Sequence, residues 1–598
     1  VLSFIFKLFL FLALHQEKDE ITFLNWQSYI YNRRSMSNNT QNQNKILIPS
    51  PKRYLSRSEF QEYLELVKLI GNFDPNTKKW YVNEFKISRI NNNELKEIIK
   101  GLSNYVGDEI YNAFGDYLKD NDNTVYVEFR GNYLIVFDDL EKYKDLLTYK
   151  IKTFDHIQGQ YIETPILLAW QRGNNFATLR GLYWKLQNVT NLKIKPFTNM
   201  QFYNISLKNF EIRDYQINSI KSWISDINTV GEGIVKAPTG SGKSVIAILS
   251  ALEMLKNKPN SKIIYAVNST TLLKQFQQFA KREDLPFLLV SGEINEIEKG
   301  EKSDFIALSV SYYYSQKKKN QNQKLKELIQ NSDLIIIDEA HHTPASMIKS
   351  LLLDSPNSIR LGLSATPIRE DGRELEILGL LGKISYSIDY TELVKNHYLV
   401  PIEYIQFTPK ISEKIYNKIQ LTKQYFADQP FAKEYSVLIR IFEQSPYTNK
   451  QIIEKVKSLN KYPALIIVRR IPIAKKLSEM FNENGIIADW VSSKTSLEER
   501  IEKIENLKNG KLKVLIATSL ADEGLDIPQL SLVVLLSQGK SRIKLIQRIG
   551  RVMRPWQSKQ KGYILDIAYN SDIFQRQADN RKKFVQNEYE GIISIKSI

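Results

Sequence analysis

Along this chain the apolar residues come mostly in short runs, and the spacing between runs changes character near residue 205. From about 205 to 385 the runs "GIVKA", "KIIYAV", "PFLLV", "DFIALSV", "DLIIIDE" and "IRLGLSA" alternate with stretches of helical spacing. A second series follows: "PIEYIQF", "PALIIV", "GIIADWV", "LKVLIAT", "LSLVVLL" and "GYILDI". Strands covered on both faces read as continuous apolar runs, so this rhythm predicts βαβ units and two successive parallel sheets flanked by helices, an α/β fold. The two sheets are expected over 205–395 and 396–575. An insertion of helices with mixed charge and several tyrosines interrupts the second at about 410–455.

Upstream, residues 46–204 mix both periods. "SRSEFQEYLELVKLIG" has a capping serine and helical apolar spacing, and "KKWYVNEFKI" is strand-like. "TVYVEFRGNYLIVFDDL" reads as a hairpin turning at Arg130-Gly131-Asn132. The segment predicts an α/β accessory domain. Its Trp80, Tyr81, Tyr126, Phe129 and Tyr133 are either core residues or a stacking surface for nucleic-acid bases. Residues 576–598 are expected as a C-terminal tail.

Composition narrows the class. The 598 residues fit about three or four domains. Lys and Arg total 83 against 66 Asp and Glu, a net charge of +17, which favours a polyanionic partner. With no cysteine, disulfides, thiolate zinc sites and iron–sulfur clusters are excluded. The five histidines show no metal-ligand spacing. The opening "VLSFIFKLFLFLALHQ" carries an apolar run of roughly 14 residues, about 21 Å as a helix against a hydrocarbon core of about 30 Å. No stable membrane contact is expected from it. It lacks the basic flank and cleavage site of a signal peptide, and a start at Met36 is the alternative. Residues 1–45 are therefore set apart from the fold.

Candidate chemistry sits at three places. "VKAPTGSGKS" (235–244) lies between a strand and a helical run, the context of a phosphate-binding loop. There Gly240 and Gly242 admit close backbone approach, Pro238, Thr239 and Ser241 complete the cradle, Lys243 faces the β/γ-phosphates and Ser244 faces Mg²⁺. "DLIIIDEAHH" (333–342) ends a strand in Asp338, a water-mediated Mg²⁺ ligand, followed by Glu339 to activate the attacking water. The two motifs are expected on neighbouring strands; His341 would couple the domains. "QRIGRVMR" (547–554) puts Arg551 and Arg554 one helical turn apart, with Gln547 at its start. Coming from the second sheet, these guanidiniums would reach a phosphate held by the first. Together the motifs predict hydrolysis of a nucleoside triphosphate, ATP with Mg²⁺.

At this point the chain resembles the superfamily 2 helicases over about residues 205–570, which implies two tandem RecA-like domains. "FEIRDYQ" (210–216) is similar to the family's adenine-recognition motif, implicating Arg213 and Gln216. "YAVNSTTLLKQF" and "ALSVS" resemble its loops that track the nucleic-acid backbone, implicating Ser269, Thr270 and Ser309. "ATSLADEGLDIP" resembles the motif that places Gly524 and Asp526 near nucleotide and Thr518 near a phosphodiester. "LGLSATPIRED" discriminates further. Ser364 and Thr366 resemble the coupling motif, and Arg369-Glu370-Asp371 resembles the Arg-Glu-Asp element of the XPB family, associated there with duplex opening. Asp371 with Glu374 also fits a capping box at the start of the next helix. The resemblance implies a 3′→5′ DNA helicase or translocase on forked or duplex DNA, in excision repair or promoter opening. It also implies a damage-recognition-like domain at 46–204, a nuclease partner as in archaeal relatives, and a cytoplasmic, nucleoid-associated location. Another superfamily 2 motor, such as a restriction-type duplex translocase or an RNA helicase, and a DNA-binding scaffold with a dead ATPase are the other readings.

Overall fold

The computed structural model describes residues 46–598, apart from 54, 88–89, 91, 115–123, 156–159, 174, 269, 286, 293–294, 297–302, 320, 340–344, 366–371, 427–430, 519–526, 537–540 and 558. The chain divides into two compact units, one ending at Asp122 and one running from Asn123 to Ile598.

In the first unit, helix α1 (Arg57–Ile70) starts as its sequence requires. Ser56 Oγ accepts from the Glu59 amide at 3.3 Å, while the Ser56 amide donates to Glu59 Oε2 at 2.7 Å. Strands β1 (Gly71–Asp74) and β2 (Lys79–Val82) pair antiparallel beside it. The Trp80 ring packs against Phe73 at 5.4 Å.

The second unit opens with the expected hairpin, β3 (Thr124–Arg130) and β4 (Tyr133–Val136), whose turn contains Gly131 at φ +59°. Strands β5 (Thr148–Asp155) and β6 (Gln160–Leu167) form a separate antiparallel pair. Strands β7 (Ala169–Arg172), β8 (Asn175–Leu179) and β9 (Asn191–Lys193) complete a five-stranded sheet of order β7-β8-β4-β3-β9. This corrects the single accessory domain expected at 46–204, because its second half is fused to the first parallel-sheet lobe. Val127, Leu134, Phe176 and Leu179 share one core with Ile234, Ile264, Leu375 and Ile377 of that lobe. Beneath that core, Glu232 Oε1 accepts from Arg180 Nε at 3.0 Å and from Arg360 at 2.7 Å, all three side chains fully buried. Arg360 also binds the turn residue Asn132. The aromatics of this half are packing residues: Phe129 meets Phe197 edge-on at 5.6 Å, and Tyr133 meets Trp170 at 5.5 Å.

Helix α2 (Asp214–Val230) leads into the first parallel sheet: β10 (Glu232–Lys236), helix α3 (Lys243–Asn257), β11 (Ile263–Val267), β12 (Leu288–Val290), β13 (Phe305–Ser309), β14 (Leu334–Asp338), β15 (Ile359–Ser364), helix α4 (Glu374–Leu381) and β16 (Ile384–Ser387). Its order is β12-β13-β11-β14-β15-β10-β16, all neighbours parallel. Helix α5 (Tyr390–Lys395) then leads to the second sheet, with β17 (Ile402–Phe407), insertion helices α6 (Glu413–Tyr425), α7 (Phe431–Gln444) and α8 (Pro446–Leu459), β18 (Ala464–Val468), β19 (Ala488–Val491), β20 (Val514–Thr518), β21 (Leu532–Leu535), helix α9 (Arg542–Val552), β22 (Gly562–Ile567), helix α10 (Asp572–Glu588) and β23 (Ile593–Ser597). The order is β19-β20-β18-β21-β22-β17-β23, again parallel throughout. Residues 576–598 are thus not a tail: they supply most of α10 and an edge strand paired to β17. Among the described residues no helix is long and apolar enough to cross a membrane.

Candidate nucleotide site and interdomain cleft

β10 delivers the chain to the phosphate loop, and α3 begins at Lys243 directly after it. Gly240 at φ +88° and Gly242 at φ +84° sit in the left-handed region that a side chain would strain. Pro238 and Ser241 are joined by a backbone hydrogen bond of 3.2 Å. Thr239 Oγ1 and Ser241 Oγ are buried and make no hydrogen bond, so the loop presents two unspent hydroxyls beside a helix N-terminus. Lys243, 8% exposed, lies 3.3 Å from Glu339 Oε1 and donates to the Ala237 carbonyl at 3.4 Å. Ser244 is half-buried in the first turn of α3.

Asp338 ends β14, and here the expectation of neighbouring strands fails: β15 lies between β14 and β10. Asp338 faces the loop across that intervening strand, whose last residue, Ser364, is buried and accepts the Ala237 amide at 2.9 Å. Asp338 Oδ2 accepts from the Tyr265 hydroxyl at 2.6 Å and Oδ1 from the Glu339 amide at 2.8 Å. Burial, and then the neighbouring Glu339 charge, push the Asp338 carboxyl up, against the pull of Lys243. Glu339 itself has φ +50°, an uncommon conformation for a residue with a side chain.

From the second sheet, α9 brings its backbone onto this loop. A methyl at Gly550 would lie 2.5 Å from Thr239 Cβ, and one at Gly240 would lie 3.3 Å from Arg554 Cγ. The helix ends at Val552 with Met553 as its cap, so Arg554 stands just beyond it rather than on the helical face shared with Arg551. The Met553 carbonyl accepts the Val400 amide at 2.7 Å, anchoring this turn to the interdomain segment. Gln547 and Arg551 are half-buried on α9.

The residues expected to meet the base lie at the start of α2, with Arg213 at its N-cap. The Arg213 amide donates to Gln216 Oε1 at 3.0 Å, and Gln216 Nε2 donates to the carbonyls of Ser241 (3.3 Å) and Gly242 (3.5 Å). The Arg213 guanidinium lies 4.4 Å over the Tyr398 ring and donates to Tyr215 Oη at 3.0 Å.

Ser309 caps a helix, its Oγ accepting the Tyr312 amide at 3.4 Å, and Thr518 is buried at the end of β20. Ser269, His341, Thr366, Arg369, Glu370, Asp371, Gly524 and Asp526 lie outside the described residues, as does the Thr270 side chain. The capping-box expectation for Asp371 and Glu374 is corrected: α4 has its N-cap position at Arg373, without a side-chain cap, which puts Glu376 three residues on, where Lys349 pairs with it at 3.0 Å. Three residues at the site escaped sequence reasoning. Tyr398 and Tyr390 come from the interdomain segment, and Tyr589 from the C-terminus of α10 packs its ring 4.6 Å from that of Tyr390. A lone tyrosine in "DYTEL" or "NHYLVP" carries no periodic or motif signal.

Two parallel-sheet lobes, a phosphate loop on one and an arginine-bearing helix against it from the other, define a two-lobed nucleoside-triphosphate hydrolase of RecA-like fold. Family models agree: "Type III restriction enzyme, res subunit" matches residues 209–369 and "Helicase conserved C-terminal domain" matches 448–555. "Putative helicase 22" of Sulfolobus islandicus filamentous virus is 68% identical over 556 residues, 93% of this chain and 100% of that protein. The chain belongs to the superfamily 2 helicases and is an ATP-dependent helicase. More distantly, "DNA 3'-5' translocase XPB2" of Sulfurisphaera tokodaii is 25% identical over 375 residues, covering 58% of this chain and 79% of that one. Among solved structures, "ATP-dependent Type ISP restriction-modification enzyme LlaBIII bound to DNA" aligns over 69% of this chain and 34% of that one, at 16% identity and a TM-score of 0.48.

Proposed function

We propose that this helicase is a DNA translocase of the XPB type that moves 3′→5′ and opens duplex for repair or transcription. The observation that carries a cleft-closing mechanism is the approach of Gly550 and Arg554 to the phosphate loop, since a guanidinium supplied across the cleft ties hydrolysis to lobe closure. The unspent hydroxyls of Thr239 and Ser241 and the two left-handed glycines fit a bound triphosphate. Ser244 and Asp338 offer oxygen donors that would hold Mg²⁺, and the ion would supply neutralisation of the triphosphate's negative charge. Lys243 exchanges Glu339 for phosphate oxygens, which releases Glu339 to accept a proton from the attacking water. Arg551 and Arg554 stabilise the charge that develops, Gln547 orients the water, and Gly524, Asp526 and Thr518 link the nucleotide to the strand. Ser269, Thr270, Ser309, His341, Ser364 and Thr366 couple hydrolysis to movement, with Arg369, Glu370 and Asp371 at the fork.

DNA as the partner and the 3′→5′ direction are supported by the translocase relative, by the Arg-Glu-Asp element and by the net charge of +17. A restriction-type duplex translocase is the second reading, favoured by the description of the model matching 209–369. ATPase stimulation by single-stranded DNA, duplex DNA and RNA, followed by unwinding of forks with a single 3′ or 5′ tail, separates them. The XPB reading expects DNA stimulation and unwinding from the 3′ tail. Duplex stimulation with no unwinding favours the restriction type, and stimulation by RNA alone removes both.

A further inference from the structure

Two tyrosines at the seam between the lobes carry buried hydroxyls that the fold leaves unspent. Tyr390 opens α5 shortly after β16, whose last residue, Ser387, pairs with Lys236 at the end of β10. The Lys236 carbonyl accepts the Ile388 amide at 3.1 Å, so this turn is fixed to the strand that delivers the phosphate loop. Tyr589 is the C-cap of α10, its amide donating to the Val585 carbonyl at 3.0 Å. The two rings lie 4.6 Å apart, with Tyr390 7% exposed and Tyr589 fully buried.

Ring packing accounts for the aromatic bodies but not for the hydroxyls. Phenylalanine would pack as well without burying a polar atom, and a buried hydroxyl with no partner costs stability. Among the described residues neither phenol oxygen has a hydrogen-bond partner, and neither has Thr239 Oγ1. Burial pushes the Tyr390 phenol up, against the pull of Tyr589 and of the Thr239 backbone beside it. Glu588, next to Tyr589, is also pushed up by burial, against the pull of Lys236 on β10. The end of α10 therefore faces the root of the phosphate loop. Thr239 is also where the backbone of α9 comes closest: a methyl at Gly550 would lie 3.3 Å from the Thr239 carbonyl. Three unspent hydroxyls thus gather where the lobes touch, one each from the phosphate loop, the interdomain helix and the last helix of the chain. Native structures seldom bury such groups without a functional reason, and the movement at hand is closure of the lobes over a triphosphate.

We propose that Tyr390 and Tyr589 are positioning residues whose hydroxyls link into a chain ending on Thr239 when the lobes close on a triphosphate, so that the last helix reports an occupied phosphate loop. The inference rests on the cleft-closing reading and deepens it by naming contacts made only on closure. The test uses the full chain with Mg²⁺, as parent, Tyr390→Phe, Tyr589→Phe and the double variant, each shown by circular dichroism to keep its fold. kcat and KM for ATP are measured beside affinity for a ribose-labelled fluorescent ADP. Each single variant should lower kcat about 3- to 10-fold, the scale of one hydrogen bond, while labelled-ADP affinity moves less than about twofold. The double variant should fall no further than either single one, because a chain broken once has no second link to lose. Turnover within about twofold of the parent in both single variants overturns the inference, as do losses that multiply in the double variant. A loss of ADP affinity matching the loss of kcat also overturns it, since that marks disturbed packing of the loop. Arg554→Ala keeps the two ideas apart: kcat should fall about 10³-fold or more, and unchanged turnover there would remove the cleft-closing reading and this inference with it.

Discussion

Gly550 shows how much depends on one missing methyl. The backbone of α9 reaches the phosphate loop only because no side chain separates it from Thr239, and a Cβ at 2.5 Å from Thr239 Cβ forces a displacement. Gly550→Ala should cut kcat by about 10²-fold, the scale of a one-ångström misplacement, while labelled-ADP affinity changes far less. Steady-state turnover and probe binding on the same preparation check this. Glu339→Gln should keep nucleotide binding and lower turnover by about 10²–10⁴-fold, the range for loss of a positioned base. Lys559 carries a pH signature. Its amine donates to the Leu530 carbonyl at 2.6 Å and the Pro528 carbonyl at 3.3 Å, and burial with the nearby Arg554 charge pushes its pKa down to about 7. The unfolded chain holds that proton up to the ordinary lysine value, so the cost of a charged amine is full below pH 7 and is relieved as pH rises from there to about 10.4. Lys559→Met should therefore stabilise relative to the parent most at low pH. The difference should shrink by up to about 1.4 kcal/mol per pH unit across that window, read by denaturant melts at pH 6.5 and 9.5.

Among the elements, the Glu232–Arg180–Arg360 group fastens the five-stranded sheet to the first lobe, and no solvent reaches it. Arg180→Ala leaves a buried carboxylate short of a partner and should cost about 3–5 kcal/mol by urea melting; exchanging exposed Lys142, paired with Asp138, should cost under about 1 kcal/mol. The six apolar runs of each series are all strands, because a strand covered on both faces writes its burial directly into its composition. Each sheet has a seventh strand that the runs did not reveal. β16, "ISYS", and β23, "ISIKS", are edge strands with exposed positions, so half of each pattern is polar and merges with the loops. The phosphate loop and the carboxylate pair were legible from motif and context. Their separation by β15 was not, since local spacing says nothing of the order in which strands insert. The end of α9 at Val552 is marked by Pro555, three residues on, which disfavours a helical conformation at Arg554 and leaves it outside the helix. Tyr398 and Tyr589 acquire meaning only when the lobes meet.

At the scale of the two lobes, one apolar cluster runs from Ile246 and Leu363 in the first through Leu399 to Ile549 and Val552 in the second, so packed side chains close the cleft at its base. On the proposed DNA-translocase reading, a net charge of +17 favours contacts to phosphates rather than to bases. With about 6–10 phosphates engaged, DNA affinity should fall about 10³–10⁵-fold between 50 and 200 mM salt, with little dependence on sequence, as measured by anisotropy titration. A flat salt response would point to a partner other than a polyanion.

The placement of β17 between β22 and β23 sets the order in which this molecule is made. The strand that opens the second lobe waits some 160 residues for one neighbour and some 190 for the other. Until β22 and β23 have been synthesised and have left the ribosome, β17 has both hydrogen-bonding edges bare. A truncation before β22 would thus leave the first lobe beside an open-edged second sheet, a species prone to aggregate.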